Sequence, residues 1–346
     1  MSNSLAGYRV AIILVNWNGW RDCAECVSSV LASAAALVSD IWLVDNDSAD
    51  GSVARLVEWC GHPAPVDDYR VFDRVEHIGI APIPCRVWIA NGSAAPADPT
   101  CRLTIVRSGG NLGFAGGNNC GITAAGLDRY DYFWLLNTDT VIGHEALPTL
   151  VRRAMLDSAI GMVGSTLLYY SNPVRVQALG GGQLNPKTLV TSHIGIDELI
   201  TQVPFDDKAT QAIERRMSYV VGASLLATRD FICAVGLMQE DYFLYFEELD
   251  WALRGNPQFK VAYAAQSFVY HKVGGSSAQV VSEFSQRLFY RNRIRFIGRF
   301  FPQRKFNALA SMGFELVRHI LKRRFQHAKL LAGALLDTRR LLQGGH

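Results

Sequence analysis

The 346-residue chain can hold one large domain or two modest ones, at roughly 100–200 residues each. Its 49% hydrophobic content supplies a sizeable core, and 19% charged residues are too few for a disordered chain. The net charge of +3 hides a division: residues 287–346 hold fourteen Lys/Arg against Glu315 and Asp337, or +12, leaving twenty bases and twenty-nine acids, or −9, in residues 1–286.

The first half alternates short apolar runs with helical patterns. Val10–Val15 reads as a buried strand that ends in a turn at Asn16-Trp17-Asn18-Gly19, followed by a helix around Cys23–Ser33. Ile41–Val44 is a second strand ending at Asp45, and Asp50-Gly51 opens a helix over Ser52–Cys60. Leu103–Val106 is a third strand, followed by a glycine-rich loop and a helix to about Leu127; Tyr132–Leu136 is a fourth, ending at Asn137. Such alternation predicts an α/β fold with a mostly parallel sheet and helices on both faces. Polar residues after each strand then gather at one sheet edge, where ligands bind in such folds: Asn16, Asp45, Asn111 and Asp139. Residues 62–101 break the rhythm and read as a peripheral insertion, with strand-like pieces only near Val71 and Val87. After a helical Ala146–Leu156, longer strand-like runs (Met162–Tyr170, Met217–Ala227, Lys260–Tyr270) extend the same sheet. From Val280 onward the pattern is helical and basic. The expected division is a nucleotide-binding domain over 1–286 and a basic amphipathic region over 287–346.

Four features carry candidate chemistry. The strand-end acid of Asp45-Asn46-Asp47-Ser48 suits a ribose or a base edge, although the same residues also make turns and helix caps. In Gly109–Asn119, five glycines within nine positions let a backbone approach a ligand closely, and asparagine amides supply donors. Neither a GxGxxG dinucleotide fingerprint nor a Gly-Lys-Ser/Thr phosphate loop is present. Asp139, just past a buried strand, is placed either to cap a helix or to hold Mg²⁺ or Mn²⁺, a hard cation that needs few protein carboxylates when phosphates and water complete its shell. Glu247, Glu248 and Asp250 lie among aromatic residues; on a helix, Asp250 pairs with Arg254 at the i,i+4 spacing and Glu248 points to another side. Crowded carboxylates beside apolar rings have raised pKa values, which suits a general base.

In this order, the motifs Val15-Asn16-Trp17-Asn18-Gly19, Asp45–Ser52, Asn111–Asn119, Leu136–Thr140, Phe246–Asp250 with Arg254, and Tyr270–Ser276 resemble the family 2 glycosyltransferases of the GT-A fold, and among them the rhamnosyltransferase-like group. The resemblance covers about Val10 to Arg299, less the insertion. It implies a nucleoside-diphosphate sugar donor, leaning towards dTDP-rhamnose, and inverting transfer to a hydroxyl of a glycan or lipid-linked acceptor. Asp45 would contact the nucleoside, and Asn111, Gly113, Gly116 and Asn118 would line the nucleotide and sugar. Asp139 falls at the metal-binding end of the family's Asp-x-Asp motif, whose first acid is here Asn137; His271 matches a histidine beside the metal and diphosphate. The family's base falls on Glu248, one methylene longer than the usual aspartate, with Glu247 and Asp250 in reserve. Two rival classes are a nucleotidyltransferase, for which Arg21 is the only basic residue near the first loop, and a non-catalytic sugar-nucleotide binding protein, which has no use for Glu248.

In the tail, Phe306, Leu309, Met312, Leu316, Ile320, Phe325, Leu331 and Leu335 recur at near-helical spacing among Arg318, Lys322, Arg323, Arg324 and Lys329. Such a pattern suits an anionic membrane surface, a helical hairpin packed on the first domain, or a homo-oligomer contact. Without a reading motif or interleaved stacking aromatics, no nucleic-acid partner is expected. The seven scattered cysteines fit a reducing compartment, and the lone Cys23-x-x-Cys26 pair reads as two helix positions rather than a metal site. With no signal peptide and no apolar span, the expected location is cytoplasmic, peripheral on the inner membrane face if the tail binds lipid.

Overall fold

The computed structural model describes residues 7–33, 38–63, 82–273 and 283–343. The strand-like piece near Val71 and the Gly274–Ser276 end of the last motif lie outside them. The first half is built from β1 (Arg9–Asn16), α1 (Trp20–Ser33), β2 (Val38–Asp45), α2 (Ser52–Gly61), β3 (Cys85–Ile89), β4 (Leu103–Arg107), α3 (Gly113–Ala125) and β5 (Tyr132–Asn137). Its five strands pair in parallel in the order β3-β4-β2-β1-β5. Val10–Leu14 and Phe133–Leu135 are wholly buried, as strands covered on both faces must be. The segment 62–101 contributes β3, the outermost strand of this half.

The second half continues the sheet with mixed polarity. It comprises β6 (Thr140–Ile142), α4 (Ala146–Met155), β7 (Ile160–Tyr169), β8 (Asn172–Leu179), β9 (Gly181–Leu184), β10 (Thr191–His193), α5 (Asp207–Glu214), β11 (Tyr219–Val220), β12 (Ser224–Thr228), α6 (Arg229–Val235), α7 (Glu247–Gly255) and β13 (Lys260–His271). Antiparallel β12 joins β5 to β7, after which β13 and β6 complete the sheet; β9, β10 and β11 form a separate three-stranded sheet. The run expected as one strand over Met217–Ala227 is therefore two, one in each sheet, parted at Val221–Ala223 around Gly222.

Three helices follow: α8 (Glu283–Phe300), α9 (Lys305–Leu321) and α10 (Phe325–Gln343). The expected boundary at 287 falls inside α8, which belongs to the main body: Phe296 and Ile297 are buried in the principal core, and the wholly buried Asn292 donates to the carbonyls of Tyr242, Leu244 and Tyr245. A second small core of Tyr290, Ile294, Met312, Leu331 and Ala334 ties α8, α9 and α10 together. The tail is thus a packed helical extension. Its outer side still exposes Phe306 (84%), Phe314 (78%), Leu321 (78%) and Phe325 (63%). None of the helices among the described residues is long and apolar enough to cross a membrane.

Candidate active site

The ends of β1, β2 and β5 meet at one rim, but two of the expected ligand contacts are turned inward there. Asn16 has no exposed surface: its amide donates to Asp45 Oδ1 (3.1 Å) and Ser48 Oγ (3.1 Å), and its Oδ1 accepts from the Gly19 N–H and the Cys23 thiol. Asp45, 4% exposed, also accepts from the Ser48 N–H. A buried amide must be satisfied, and here it is satisfied internally. Asn16 pins β1 to β2 and shapes the rim from behind.

The glycine-rich stretch is loop only as far as Leu112: α3 starts at Gly113, so the helix begins inside the stretch, and Gly116, Gly117, Asn118 and Asn119 are buried on it. A Cβ on Gly117 would come within 2.7 Å of Val15, and one on Gly121 would crowd Ile13 and Val44. These glycines bring α3 hard against the sheet, the same requirement for close backbone approach met by protein instead of ligand. Asn118 donates to the Phe114 carbonyl, and Asn119 donates to the Met238 carbonyl and Glu240. Gly116 would collide with Leu112 if it carried a side chain. Neither Gly116 nor Asn118 therefore presents a group to the rim. Gly113 does border it: at φ +70° it starts the helix where a Cβ would strike the Phe243 carbonyl, to which the Phe114 N–H donates (2.7 Å). Asn111 is exposed beside it and accepts from the Gly113 N–H. Asn46 holds this corner, donating to the Gly113 carbonyl and accepting from the Leu112 N–H.

Asp139 and His271, 132 residues apart, meet because β13 pairs with β6 and sets His271 opposite Thr140. His271 Nε2 lies 3.1 Å from Asp139 Oδ1 and 3.4 Å from Asn137 Nδ2, while Nδ1 lies 3.0 Å from Gln177 Oε1. Both residues keep some exposure, 19% for the Asp139 side chain and 11% for His271. The Asp139 carboxylate is a ligand that suits Mn²⁺ or Mg²⁺, and the imidazole beside it, oriented by buried Gln177 at its other ring nitrogen, is a second donor open to a divalent ion. Among the described residues no three His, Cys, Asp or Glu converge on a metal position, so this set fits a cation completed by phosphate oxygens and water, not one caged by protein. Next along the chain, Lys272 donates to Asp22 (2.6 Å) and Glu25 of α1, and its backbone N–H to the Asp139 carbonyl (2.9 Å). These contacts fix the end of β13. Cys23 and Cys26, the helix pair, are buried thiols; burial pushes Cys26 up to about 12, which leaves it inert.

The acidic helix α7 is entered through a strained turn. Phe243, Tyr245 and Phe246 all have positive φ (64°, 72° and 78°), rare for bulky residues and tolerated because Asn292 fixes the turn's carbonyls. The turn separates the three acids. Asp250 is wholly buried, paired with Arg254 (2.7 Å) and Arg299 (3.0 Å), and accepts from the Tyr242 hydroxyl. With no exposed surface and two guanidiniums bound, Asp250 is structural and leaves the reserve of candidate bases. Glu247 is 1% exposed, and its Oε2 has no hydrogen-bond partner. Desolvation, and then the neighbouring Glu248 charge, raise its carboxyl well above the ordinary range. Glu248 is partly exposed and accepts from the Gly222 N–H (3.1 Å); desolvation raises it too, with that bond pulling the other way.

The break between β11 and β12 brings the two ends of the site together. Gly222 binds Glu248, and the next residue, Ala223, accepts at its carbonyl from the Asn137 N–H (3.1 Å). Glu248, Asn137, His271 and Asp139 are therefore linked by a short chain of hydrogen bonds, with the start of α3 alongside, since a Cβ on Gly222 would lie 2.8 Å from the Phe114 ring. Sequence reasoning missed Gly222, Gln177, Asn292 and Arg299, whose roles arise only from contacts 26 to 94 residues away, and no local pattern marks them.

No family model and no curated protein matches the chain. Among solved structures, it resembles a mannosyltransferase from Pyrobaculum calidifontis, determined in complex with GDP-Man and Mn²⁺: 12% identity, 98% of this chain and 77% of that one covered, TM-score 0.52. Residues 1–349 of TarS from S. aureus, determined in complex with UDP, match at 8% identity over 96% of this chain and 91% of that one, with a TM-score of 0.42. The mannosyltransferase match establishes a shared fold, the α/β architecture expected from the strand–helix alternation.

Proposed function

We propose that the protein is a glycosyltransferase that moves a sugar from a nucleoside-diphosphate donor to an acceptor hydroxyl with inversion, in one displacement. The observation that carries this reading is the link from Glu248 through Gly222, Ala223 and Asn137 to His271 and Asp139. The shared fold with a mannosyltransferase that was solved with GDP-Man and Mn²⁺ supports it.

Asp139 and His271 would hold a divalent cation, Mg²⁺ or Mn²⁺, that neutralises charge on the donor diphosphate. Asn137 keeps this donor set lean in charge, so affinity for the ion alone is modest. Glu248, oriented by the Gly222 N–H, takes the proton from the acceptor hydroxyl as its oxygen attacks the anomeric carbon; the bond to the diphosphate breaks and the nucleoside diphosphate leaves. Desolvation raises the Glu248 carboxyl, which makes its carboxylate a stronger base than that of an exposed glutamate. Asn111 borders the nucleoside end, and Asp45, bonded inward to Asn16 and Ser48, shapes it from behind. The donor leaning remains dTDP-rhamnose, and the acceptor a glycan or lipid-linked saccharide, with the protein peripheral on an anionic membrane surface.

The test is a melting-temperature screen of UDP-, GDP- and dTDP-sugars with and without Mn²⁺ or Mg²⁺. A ligand present at about 100 times its Kd adds about 2.7 kcal/mol to the native state. One nucleotide class is expected to raise the melting temperature in a metal-dependent way that Asp139→Asn abolishes. A screen with no metal-dependent hit overturns the donor assignment.

A further inference from the structure

Beside this rim lies a second concavity of ≈ 770 Å³, walled by the β9–β10 hairpin and by α8 and α9. It contains none of the residues assigned to the donor. Three arginines line it, Arg216, Arg293 and Arg318, against a single acid, Glu315. Arg216 and Arg318 are exposed and have no ion-pair partner among the described residues. Arg293 is only 3% exposed; it donates to Glu315 (3.0 Å) and at 3.4 Å to the Thr188 carbonyl, while its Nε has no partner among the described residues. Glu315 balances the Arg293 charge but leaves a buried N–H unsatisfied, and the two further arginines leave the lining net positive, a place for an oxyanion. Three rings also line it, Phe246, Phe289 and, on α9, Phe314, which is 78% exposed; the β9–β10 side is polar and aliphatic.

The cavity also has a direction. Phe246 is the residue immediately before Glu247 and Glu248. Thr191, in the opposite wall, is hydrogen-bonded to Tyr219, whose hydroxyl feels the Glu248 charge. Phe246 thus ties the cavity wall directly to the helix that carries the proposed base.

We infer that this cavity is an acceptor subsite which grips a phosphate ester of the acceptor through Arg216, Arg293 and Arg318 and leaves the reacting hydroxyl towards Glu248. The acceptor role rests on the glycosyl-transfer reading; the phosphate site itself does not. A guanidinium–phosphate contact is bidentate and charge-assisted, which favours phosphate over a neutral hydroxyl cluster. The phosphate belongs either to a soluble sugar phosphate or to an amphiphile whose chain runs along Phe289 and Phe314.

Calorimetric titration of the full chain separates these sources. The probes are glucose 1-phosphate, decyl phosphate below its micelle concentration, and decyl maltoside as an uncharged control. At least one phosphate is expected to bind, in a manner that UDP, GDP or dTDP with Mn²⁺ does not displace. Tighter binding of decyl phosphate assigns an amphiphile; tighter binding of glucose 1-phosphate assigns a soluble ester. The double variant Arg216→Ala/Arg318→Ala is expected to bind the phosphate about tenfold more weakly. Glu315→Gln, which frees Arg293, is expected to bind it several-fold more tightly. Binding no better than decyl maltoside, displacement by the nucleotides, or unchanged affinity in both variants overturns the subsite. Nucleotide binding in the same preparations is read separately: its loss sinks the donor reading and with it the acceptor role, whereas its persistence without phosphate binding sinks the cavity alone.

Discussion

Replacing Gly222 with alanine tests whether the position of one carboxylate governs turnover. Gly222 is outside the positive-φ set, so alanine meets no backbone strain there. Its Cβ, however, would overlap Glu248 Oε1 and sit 2.8 Å from Phe114 Cζ, where ordinary contact begins at 3.4 Å. Glu248 has to retreat by about 1 Å, and a misplacement of that size costs about 100-fold in rate. Part of that loss is the Gly222 N–H bond that orients the base; a hydrogen bond to a charged group contributes about 1.5–3 kcal/mol. The expected result is a kcat about 100-fold lower, with donor affinity unchanged because Asp139 and His271 are untouched. Single-turnover kinetics and donor titration, on protein whose melting curve confirms the fold, provide both readings. Wild-type turnover in folded Gly222→Ala protein refutes the idea that this backbone N–H places the base.

Two further outcomes follow from buried charge and exposed apolar surface. Glu247 has a raised native pKa, so the folded state holds its proton to higher pH than the unfolded chain, whose carboxyl titrates near 4.3. Its contribution is therefore complete in acid and is lost as pH rises through the native value. Glu247→Gln is expected to melt progressively higher than wild type as pH increases from 5 to 8, by roughly 1–2 °C for each kcal/mol; a pH-independent difference contradicts this. The full chain is expected to float with anionic vesicles, and to float less as salt rises, since Arg304, Lys305, Arg318 and Lys322–Arg324 accompany the exposed Phe314, Leu321 and Phe325. Flotation unaffected by Phe314→Ser/Leu321→Ser/Phe325→Ser counts against an apolar contact with lipid.

The parallel half of the fold was legible because each buried strand there is a continuous apolar run ending in a polar residue, so the run, the turn and the next helix are all local signals. The second half was not, because β12 reaches the sheet antiparallel between β5 and β7 and only Gly222 marks where one run becomes two. Asp139, His271 and Glu248 stood out as chemistry-bearing residues at element ends; the fold sets His271 against Asp139 and links Glu248 to them through Gly222, Ala223 and Asn137. Asn16, Gly116 and Asn118 misled for a physical reason: glycine and asparagine serve close approach and donor supply whether the partner is a ligand or the protein's own backbone. Here Asp45, Leu112 and the Phe114 carbonyl are the partners. Asp250 misled in the opposite sense, since its burial depends on Arg299, forty-nine residues further on and on another helix.

The most direct test of the account is turnover of Glu248→Gln set against its affinity for the donor. The account predicts that transfer to the acceptor falls by about 100- to 10,000-fold, the contribution of a general base. Donor affinity in the presence of Mn²⁺ stays that of wild type. Turnover at the wild-type rate with intact donor binding contradicts it.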